Sequence, residues 1–252
     1  MKPHADHDHY SYTFYADASN AQRFDDRRFG GPIGSYVAES QAATLADFIG
    51  RIQHRRILDV GTGTGRAALF FARGGADVTG VDASEPMLNI ARERAGREGV
   101  AVRFQTDDAH ALSFPNRSCD VAVCLRVLMH TPEWRRVVSE LCRVADQIVV
   151  VDYPSSRSTA LVESIGRRVL STLGLSKEPY RTLSDRAIDE AFARSGFRVR
   201  ARRRHFLLPI AFHRLVGSRA FTLWCEGLFD RMGLRARFGS PVTLVAERCV
   251  SS

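Results

Sequence analysis

The run Asp59-Val60-Gly61-Thr62-Gly63-Thr64-Gly65 holds the densest chemistry in this sequence of 252 residues. Glycines let a backbone turn sharply and let a ligand approach it with no Cβ in the way. The spacing is G-x-G-x-G, and Arg66 stands where the dinucleotide pattern G-x-G-x-x-G would place its last glycine, so no pyrophosphate cradle is expected. Asp59, two residues ahead of the first glycine, would repel a pyrophosphate and suits an ammonium group. Further along stands His130, an imidazole that titrates near neutrality and can exchange a proton there.

Periodicity indicates what must position these groups. Ile33, Tyr36, Val37, Leu45 and Phe48 fall at helical spacing after the turn Gly30-Gly31-Pro32. Residues 56–60 read as a strand running into the glycine turn, and 67–72 as an apolar helix stopped by Gly74-Gly75. Residues 77–82 form the next strand, after which Ser84 caps a helix with Glu85 and Pro86 in its first turn that runs to about 96. Residues 100–105 and 119–125 are predicted as the third and fourth strands, the latter apolar enough for a central parallel strand. Thr131-Pro132-Glu133 opens a helix to about 142, and 147–153 form a fifth strand. A helix over 184–195 and a final strand over 242–250 follow. Between them Phe197, Val199 and Ala201 alternate with Arg198, Arg200 and Arg202, which predicts a strand with one strongly charged face. Strands alternating with helices give a doubly wound α/β sheet. Its ligands sit beyond the carboxyl ends of the strands, so residues 61–65, Asp82, Asp107-Asp108 and residues 125–130 should share one rim.

In this order the features resemble those of the class I S-adenosylmethionine-dependent methyltransferases, over roughly residues 57–151. The glycine run resembles that family's motif I. Thr106-Asp107-Asp108-Ala109 with Leu112-Ser113-Phe114-Pro115 looks like its "G-D-A…L-P-F" stretch, with Asp107 in place of the glycine. Cys119-Asp120-Val121-Ala122-Val123 resembles its "F-D-x-V" strand, and residues 139–144 its "E-x-x-R-V-L" helix end, while Ala145-Asp146-Gln147 replaces a Pro-Gly-Gly turn. The resemblance implies a Rossmann-like sheet, mostly parallel with a C-terminal antiparallel hairpin, and methyl transfer from S-adenosylmethionine that leaves S-adenosylhomocysteine. It implies that Asp59, Gly61, Thr62, Gly63 and Gly65 hold the methionine end and that Asp82 accepts both ribose hydroxyls. Ala83 and Met87 would flank the adenine, Asp108 would bind its amino group, Ala109 would lie beside the ring, and Leu125 would complete the contacts. The loop after the fourth strand would border the methyl group, which makes His130 the candidate base; packing against the next helix is the competing reading. His110 is less favoured, and nothing in the sequence places His205 or His213.

Residues 1–32 read as a tail or lid, with Tyr10, Tyr12, Phe14, Tyr15 and Phe24 either closing over a ligand or pinning a loose end. Residues 33–252 form the methyltransferase domain, with a helical insertion at about 208–240 rich in large apolar residues such as Phe212, Leu215, Leu223, Trp224 and Met232. That insertion reads as a cap over an apolar acceptor, a dimer face or extra core, and the cap is favoured. Its apolar character and Arg198 to Arg204 allow contact with an anionic membrane and a lipid- or quinone-like acceptor, but arginines on an edge strand that deter pairing are the simpler explanation. The net charge of +8 comes from 34 arginines and only two lysines spread along the chain, a compositional preference rather than a nucleic-acid patch. A nucleic-acid methyltransferase and a non-catalytic cofactor-binding protein remain the alternatives to a small-molecule enzyme. Five scattered cysteines, no signal pattern and no long apolar stretch point to the cytoplasm, and no metal site is expected, His4, His7 and His9 lying in the polar tail.

Overall fold

In a computed structural model of the chain, the residues described are 30–158 and 181–249. The suggested lid and its aromatics lie outside them up to residue 29. The fold begins with helix α1 (Gly31–Ile49), then β1 (Arg56–Val60), α2 (Arg66–Arg73), β2 (Asp77–Asp82), α3 (Glu85–Glu98), β3 (Arg103–Thr106) and β4 (Cys119–Cys124). A short 3-10 turn (Leu128–His130), α4 (Trp134–Val144) and β5 (Ala145–Tyr153) complete the first part. There follow α5 (Asp185–Arg194), β6 (Phe197–Phe206), the helices α6 (Ile210–Val216), α7 (Arg219–Arg231) and α8 (Leu234–Phe238), and β7 (Ser240–Arg248).

The strands form one seven-stranded sheet in the order β3-β2-β1-β4-β5-β7-β6. All neighbours pair in parallel except β7, which runs antiparallel to both β5 and β6. This is the expected doubly wound sheet with a C-terminal antiparallel hairpin. The side-chain period of two sorts the core: Leu58, Val60, Ala122 and Val149 face α4 and α5 in one cluster, while Ile57, Val121, Val123 and Val150 face α1 and α2 in the other. Among the described residues no helix is long and apolar enough to cross a membrane.

Local chemistry sets the element ends. Ser84 accepts from the Met87 N–H at the start of α3, and Ser184 and Ser218 cap α5 and α7 in the same way. At the far end of α3, Gly99 adopts a left-handed φ of 65° and the Val100 N–H donates to Ala95 O. That closure uses Val100, so β3 starts at Arg103 rather than at residue 100. The last strand likewise covers Ser240–Arg248 instead of 242–250.

The largest departure is in β6. The register against β7 shifts between Val199 and Ala201, a β-bulge that turns the next residues over. Val199 therefore packs on the α5 side and Ala201 on the α1 side, although their spacing in the sequence assigned both to one face. The arginines are divided too: Arg202 and Arg204 pair with Asp189 and Asp185 of α5, whereas Arg203 reaches Asp47 of α1 at 2.7 Å. There is no single charged face. The strand is an outer edge of the sheet, as the arginine pattern suggested.

Because β7 reverses direction, β6 again runs parallel to β1–β5. Phe206, paired with Ser240, thus lies at the same rim as the carboxyl ends of β1, β2 and β4. The three helices α6–α8 rise from that rim, and Arg219 of α7 bridges to Glu39 of α1 at 2.6 Å.

Candidate active site

At the end of β1 the chain folds back over β2. The N–H groups of Gly61 and Thr62 both donate to Val81 O, at 2.8 and 2.9 Å, and Gly65 N–H closes the turn onto Thr62 O at 3.0 Å. The three glycines answer to different demands. A Cβ on Gly61 would stand 2.2 Å from Val127 Cγ2, and one on Gly65 would stand 2.9 Å from the Ala91 Cβ of α3. Gly63 has a left-handed φ of 54° and nothing within 4 Å of the Cβ position. Packing explains the outer two, and open space above the backbone marks the middle one.

Two carboxylates flank this turn. Asp59 is 2% exposed, and its Oδ2 accepts from Thr62 Oγ1 at 2.7 Å and from Ala68 N–H at 3.1 Å. Burial pushes its carboxyl up to about 6, against the pull of those two hydrogen bonds. Asp82 is partly buried and accepts from Gly63 N–H at 2.8 Å and Ser84 N–H at 2.9 Å, one on each oxygen. Its carboxyl is also raised, chiefly by burial, against the same donors. Asp152, at the end of β5 and 1% exposed, adds a third carboxylate, and Cys124 lies among all three, its thiol pushed up by burial and then by their charge. The floor of the rim is acidic.

The adenine-side loop is tied down from α4. Glu140 accepts from Leu112 N–H at 2.9 Å, while Arg143 donates to Leu112 O at 2.8 Å and Phe114 O at 2.7 Å. The "E-x-x-R" helix end is thus a clamp on the Leu112–Pro115 stretch. Asp107 closes the same loop through Ser113, at 3.0 Å from its N–H, whereas Asp108 Oδ1 meets the His110 ring at 2.8 Å. His110 continues to Thr131 Oγ1 at 2.6 Å and so joins the loop after β3 to the turn before α4.

Sequence reasoning had set His110 aside, though the Asp-x-His spacing was visible. It missed Asp152 altogether, since a carboxylate ending an apolar strand carries no signal of its own. Asp152 Oδ1 accepts from Arg126 N–H at 2.5 Å and so fixes the backbone that follows β4.

Asp59, Gly61, Thr62, Gly63 and Asp82 are brought into one hydrogen-bonded unit, and Gly65 closes its turn. Ala83 is exposed beside it, whereas Met87 is 3% exposed and Leu125 9% exposed, so both belong to the core margin. Ala109 is partly buried against the core. His130 ends the 3-10 turn, its N–H donating to Val127 O at 2.8 Å. His205 and His213 are both buried. His205 is buried between Ser40 and Thr243, and His213 meets Glu226 at 2.9 Å with no exposure at all.

Residues 57–147 match the family model described as a methyltransferase domain. The chain carries a methyltransferase domain over those residues. It is 35% identical over 155 residues to the uncharacterized methyltransferase YcgJ of Bacillus subtilis, covering 59% of this chain and 58% of that one. It is 38% identical over 105 residues to the demethylmenaquinone methyltransferase of Thermus thermophilus, covering 40% of this chain and 48% of the relative. The chain thus spans about half the length of the curated relatives it matches. A solved structure of magnesium protoporphyrin IX methyltransferase from Synechocystis, with bound S-adenosylhomocysteine, superposes with a TM-score of 0.67 at 18% identity, covering 95% of this chain and 98% of that protein. That likeness speaks for the fold.

Proposed function

We propose that this chain transfers the methyl group of S-adenosylmethionine to a small, largely apolar acceptor and releases S-adenosylhomocysteine. The observation that carries the reading is the juxtaposition of Gly63 and Asp82. A backbone with empty space at its Cβ position lies one hydrogen bond from a carboxylate on the same rim. Both features fit the cofactor: the open glycine admits close approach, and a carboxylate accepts two hydroxyls of a ribose. The acidic floor fits it as well, because an ammonium and a sulfonium are both cations.

In this reading Asp59 faces the ammonium through the Gly61–Gly65 turn, with Thr62 orienting its carboxylate. Asp82 takes the ribose, Ala83, Met87 and Ala109 border the adenine, Asp108 takes its amino group, and Leu125 lines the site at the end of β4. When bound, S-adenosylmethionine supplies an electrophilic methyl on a good leaving group. The residues need mainly to align donor and acceptor, since well-oriented reactions reach effective molarities of about 10⁵ M or more. His130, on the turn after β4, takes the acceptor proton where the acceptor carries one, a role worth roughly 10²–10⁴-fold. Support for a small acceptor comes from relatives named for quinone and porphyrin methylation and from the helices standing on the rim.

Calorimetric titration with S-adenosylmethionine tests the reading, with Asp82→Ala as the control. Saturable binding that the variant weakens by about 10²-fold or more is expected, given about 1.5–3 kcal/mol for each hydrogen bond to a charged group. Wild-type protein that binds no S-adenosylmethionine overturns it.

A further inference from the structure

The helices α6 and α7 turn their apolar sides to solvent and their polar sides inward. On α7, Leu223, Trp224 and Leu228 fall on one side at helical spacing and are exposed, while Thr222, Cys225 and Glu226 fall on the other and are buried. On α6, Phe212, Leu215 and Val216 share the exposed side, and His213 is buried. The ring centroids of Phe212 and Phe221 lie 6.3 Å apart and those of Phe221 and Trp224 6.1 Å, which joins the two stripes into one surface. The buried polar cluster holds that surface outward. Glu226 accepts from Leu207 N–H and Leu208 N–H and meets His213 at 2.9 Å, so rolling either helix to hide its apolar stripe would break these bonds.

The charges around the surface indicate what it meets. Arg214, Arg219, Arg231 and Arg237 are exposed on α6–α8, against one exposed carboxylate, Asp230, which Arg235 holds at 2.7 Å. Glu226, the other acid of these helices, is buried. The Arg237 guanidinium stands 5.5 Å from the Phe238 ring, a cation at the margin of the apolar surface. An apolar face rimmed by guanidiniums matches a bilayer with anionic headgroups: the apolar side chains enter, and the guanidiniums stay at the level of the headgroups. A second copy of the chain fits less well, because a two-fold contact sets a patch against itself and would bring arginines against arginines. Helix α7 has 13 residues, whereas about 20 are needed to span a bilayer, so this face lies along a membrane and does not cross it.

We propose that the outer face of α6–α8 is a docking surface for anionic lipid membranes. Arg202, Arg203 and Arg204 of β6 take no part, since each is paired with a carboxylate of α5 or α1. The docking helices follow directly on Phe206, at the rim that carries Gly63 and Asp82, so docking brings that rim near the lipid. Supply of an apolar acceptor from the bilayer rests on the methyltransferase reading, whereas docking itself does not.

The test mixes the full chain with large vesicles of phosphatidylcholine, alone or with roughly one third phosphatidylglycerol, and reads the bound fraction by flotation. Binding to the anionic vesicles is expected to exceed binding to phosphatidylcholine at least about tenfold and to fall as salt rises. Leu215→Ser combined with Trp224→Ser removes side chains that are 86% and 66% exposed and leaves the charge unchanged. This double variant should bind anionic vesicles at least about tenfold more weakly, with its melting temperature held. Arg231→Gln combined with Arg237→Gln should weaken the same binding about tenfold. Trp134 is buried, so the difference in emission between wild type and Trp224→Ser isolates Trp224, which should emit as a wet indole in the free chain and shift to shorter wavelength on anionic vesicles. Equal binding to both kinds of vesicle, or none, overturns the docking surface. So does anionic binding that the apolar double variant retains, since the net charge of +8 would then account for it. A free chain in which Trp224 already emits as a buried indole, or a dimer that the same variant separates, gives the face to the chain itself or to a second copy and likewise overturns it. Failure to bind S-adenosylmethionine counts against the methyltransferase reading alone.

Discussion

The half of the rim built from β1, β2 and β4 and the half built from β6, β7 and the helices between them solve the burial problem in opposite ways. In the first, apolar side chains lie inside and the polar groups that enter are met by backbone N–H groups: Asp59 by Ala68 of α2, and Asp82 by Gly63 of the glycine turn and Ser84 at the start of α3. In the second, α6 and α7 turn His213, Thr222 and Glu226 inward, while Leu215 is 86%, Trp224 66% and Met232 61% exposed. All eight large apolar side chains that stand open among the described residues lie between 212 and 238. The family model stops at residue 147, before any of them. The contrast teaches that the ligand common to the family is served by a conventional core, whereas the insertion is organised around something outside its own core.

If the two halves are separate devices, damaging one should spare the other. The largest effect is expected at Glu226, which accepts from Leu207 N–H at 2.9 Å, Leu208 N–H at 3.2 Å and His213 at 2.9 Å. Glu226→Leu removes the carboxylate that meets the fully buried His213 and two partly buried N–H groups, and should destabilise the insertion by about 3 kcal/mol or more. Hydrogen exchange should show opening of residues 207–239, with S-adenosylmethionine affinity held within about twofold. A parallel loss of cofactor binding would show that the halves fold and bind as one.

Acidity should separate the halves with nearly as large an effect. The Asp59 carboxyl sits at about 6 in the folded state, above its unfolded value, so the protein holds the extra proton between about pH 4 and 6. Its contribution is fully present below pH 4 and is lost, by about 3 kcal/mol, as pH rises through 6. His205, which links α1 to β7, is pushed down to about 4 by burial and then by Arg203 and Arg235. For a depressed imidazole the sign is opposite: stability is lost, by about 3 kcal/mol, as pH falls from 6.5 towards 4. Local exchange rates at pH 5 should therefore show the α1–β7 contact loosened and the glycine turn tightened relative to pH 7. If Asp59 faces the cofactor ammonium as proposed, cofactor affinity should fall about tenfold per pH unit below 6, and Asp59→Asn should flatten that slope. A slope that survives the substitution would move the linkage to Asp82.

The same contrast governs what the sequence disclosed. Strands β1, β2 and β4 and the glycine turn were legible because a period of two, a capped helix at Ser84 and a G-x-G-x-G run are local signals. The rim followed from the general rule for α/β sheets. The bulge at Arg200 was not legible, since nothing in Arg198 to Arg204 marks the extra residue, and missing it assigned the arginines to one face. Nor could the sequence show which way α6 and α7 turn. A list of Phe212, Leu215, Leu223 and Trp224 reads the same for a buried face and an open one. The decisive pair, His213 with Glu226, joins two helices thirteen residues apart and obeys no helical spacing.

A smaller effect separates fold from ligand within the first half. Ala at Gly63 meets nothing within 4 Å, so its only folding penalty is the left-handed φ of 54°, about 1–2 kcal/mol. If the space above Gly63 belongs to the cofactor, affinity for S-adenosylmethionine should fall well beyond what that loss of stability accounts for. The neighbouring Gly65→Ala must move Ala91 and should lower the melting temperature first. Equal losses of stability and affinity in both variants would reduce the turn to a packing device.

The smallest expected effect tests the other half. Trp224→Ser removes a large ring that is 66% exposed, so melting temperature should hold and stability should change by no more than about 0.5 kcal/mol. An exposed indole adds little to the fold it stands on, and its loss should be felt only by a bound apolar molecule, as weaker binding of an apolar probe such as decanol. A destabilisation of several kcal/mol would instead mean that Trp224 is packed in solution, and the comparison would have to be redrawn with the insertion's outer face as an interface in its own right.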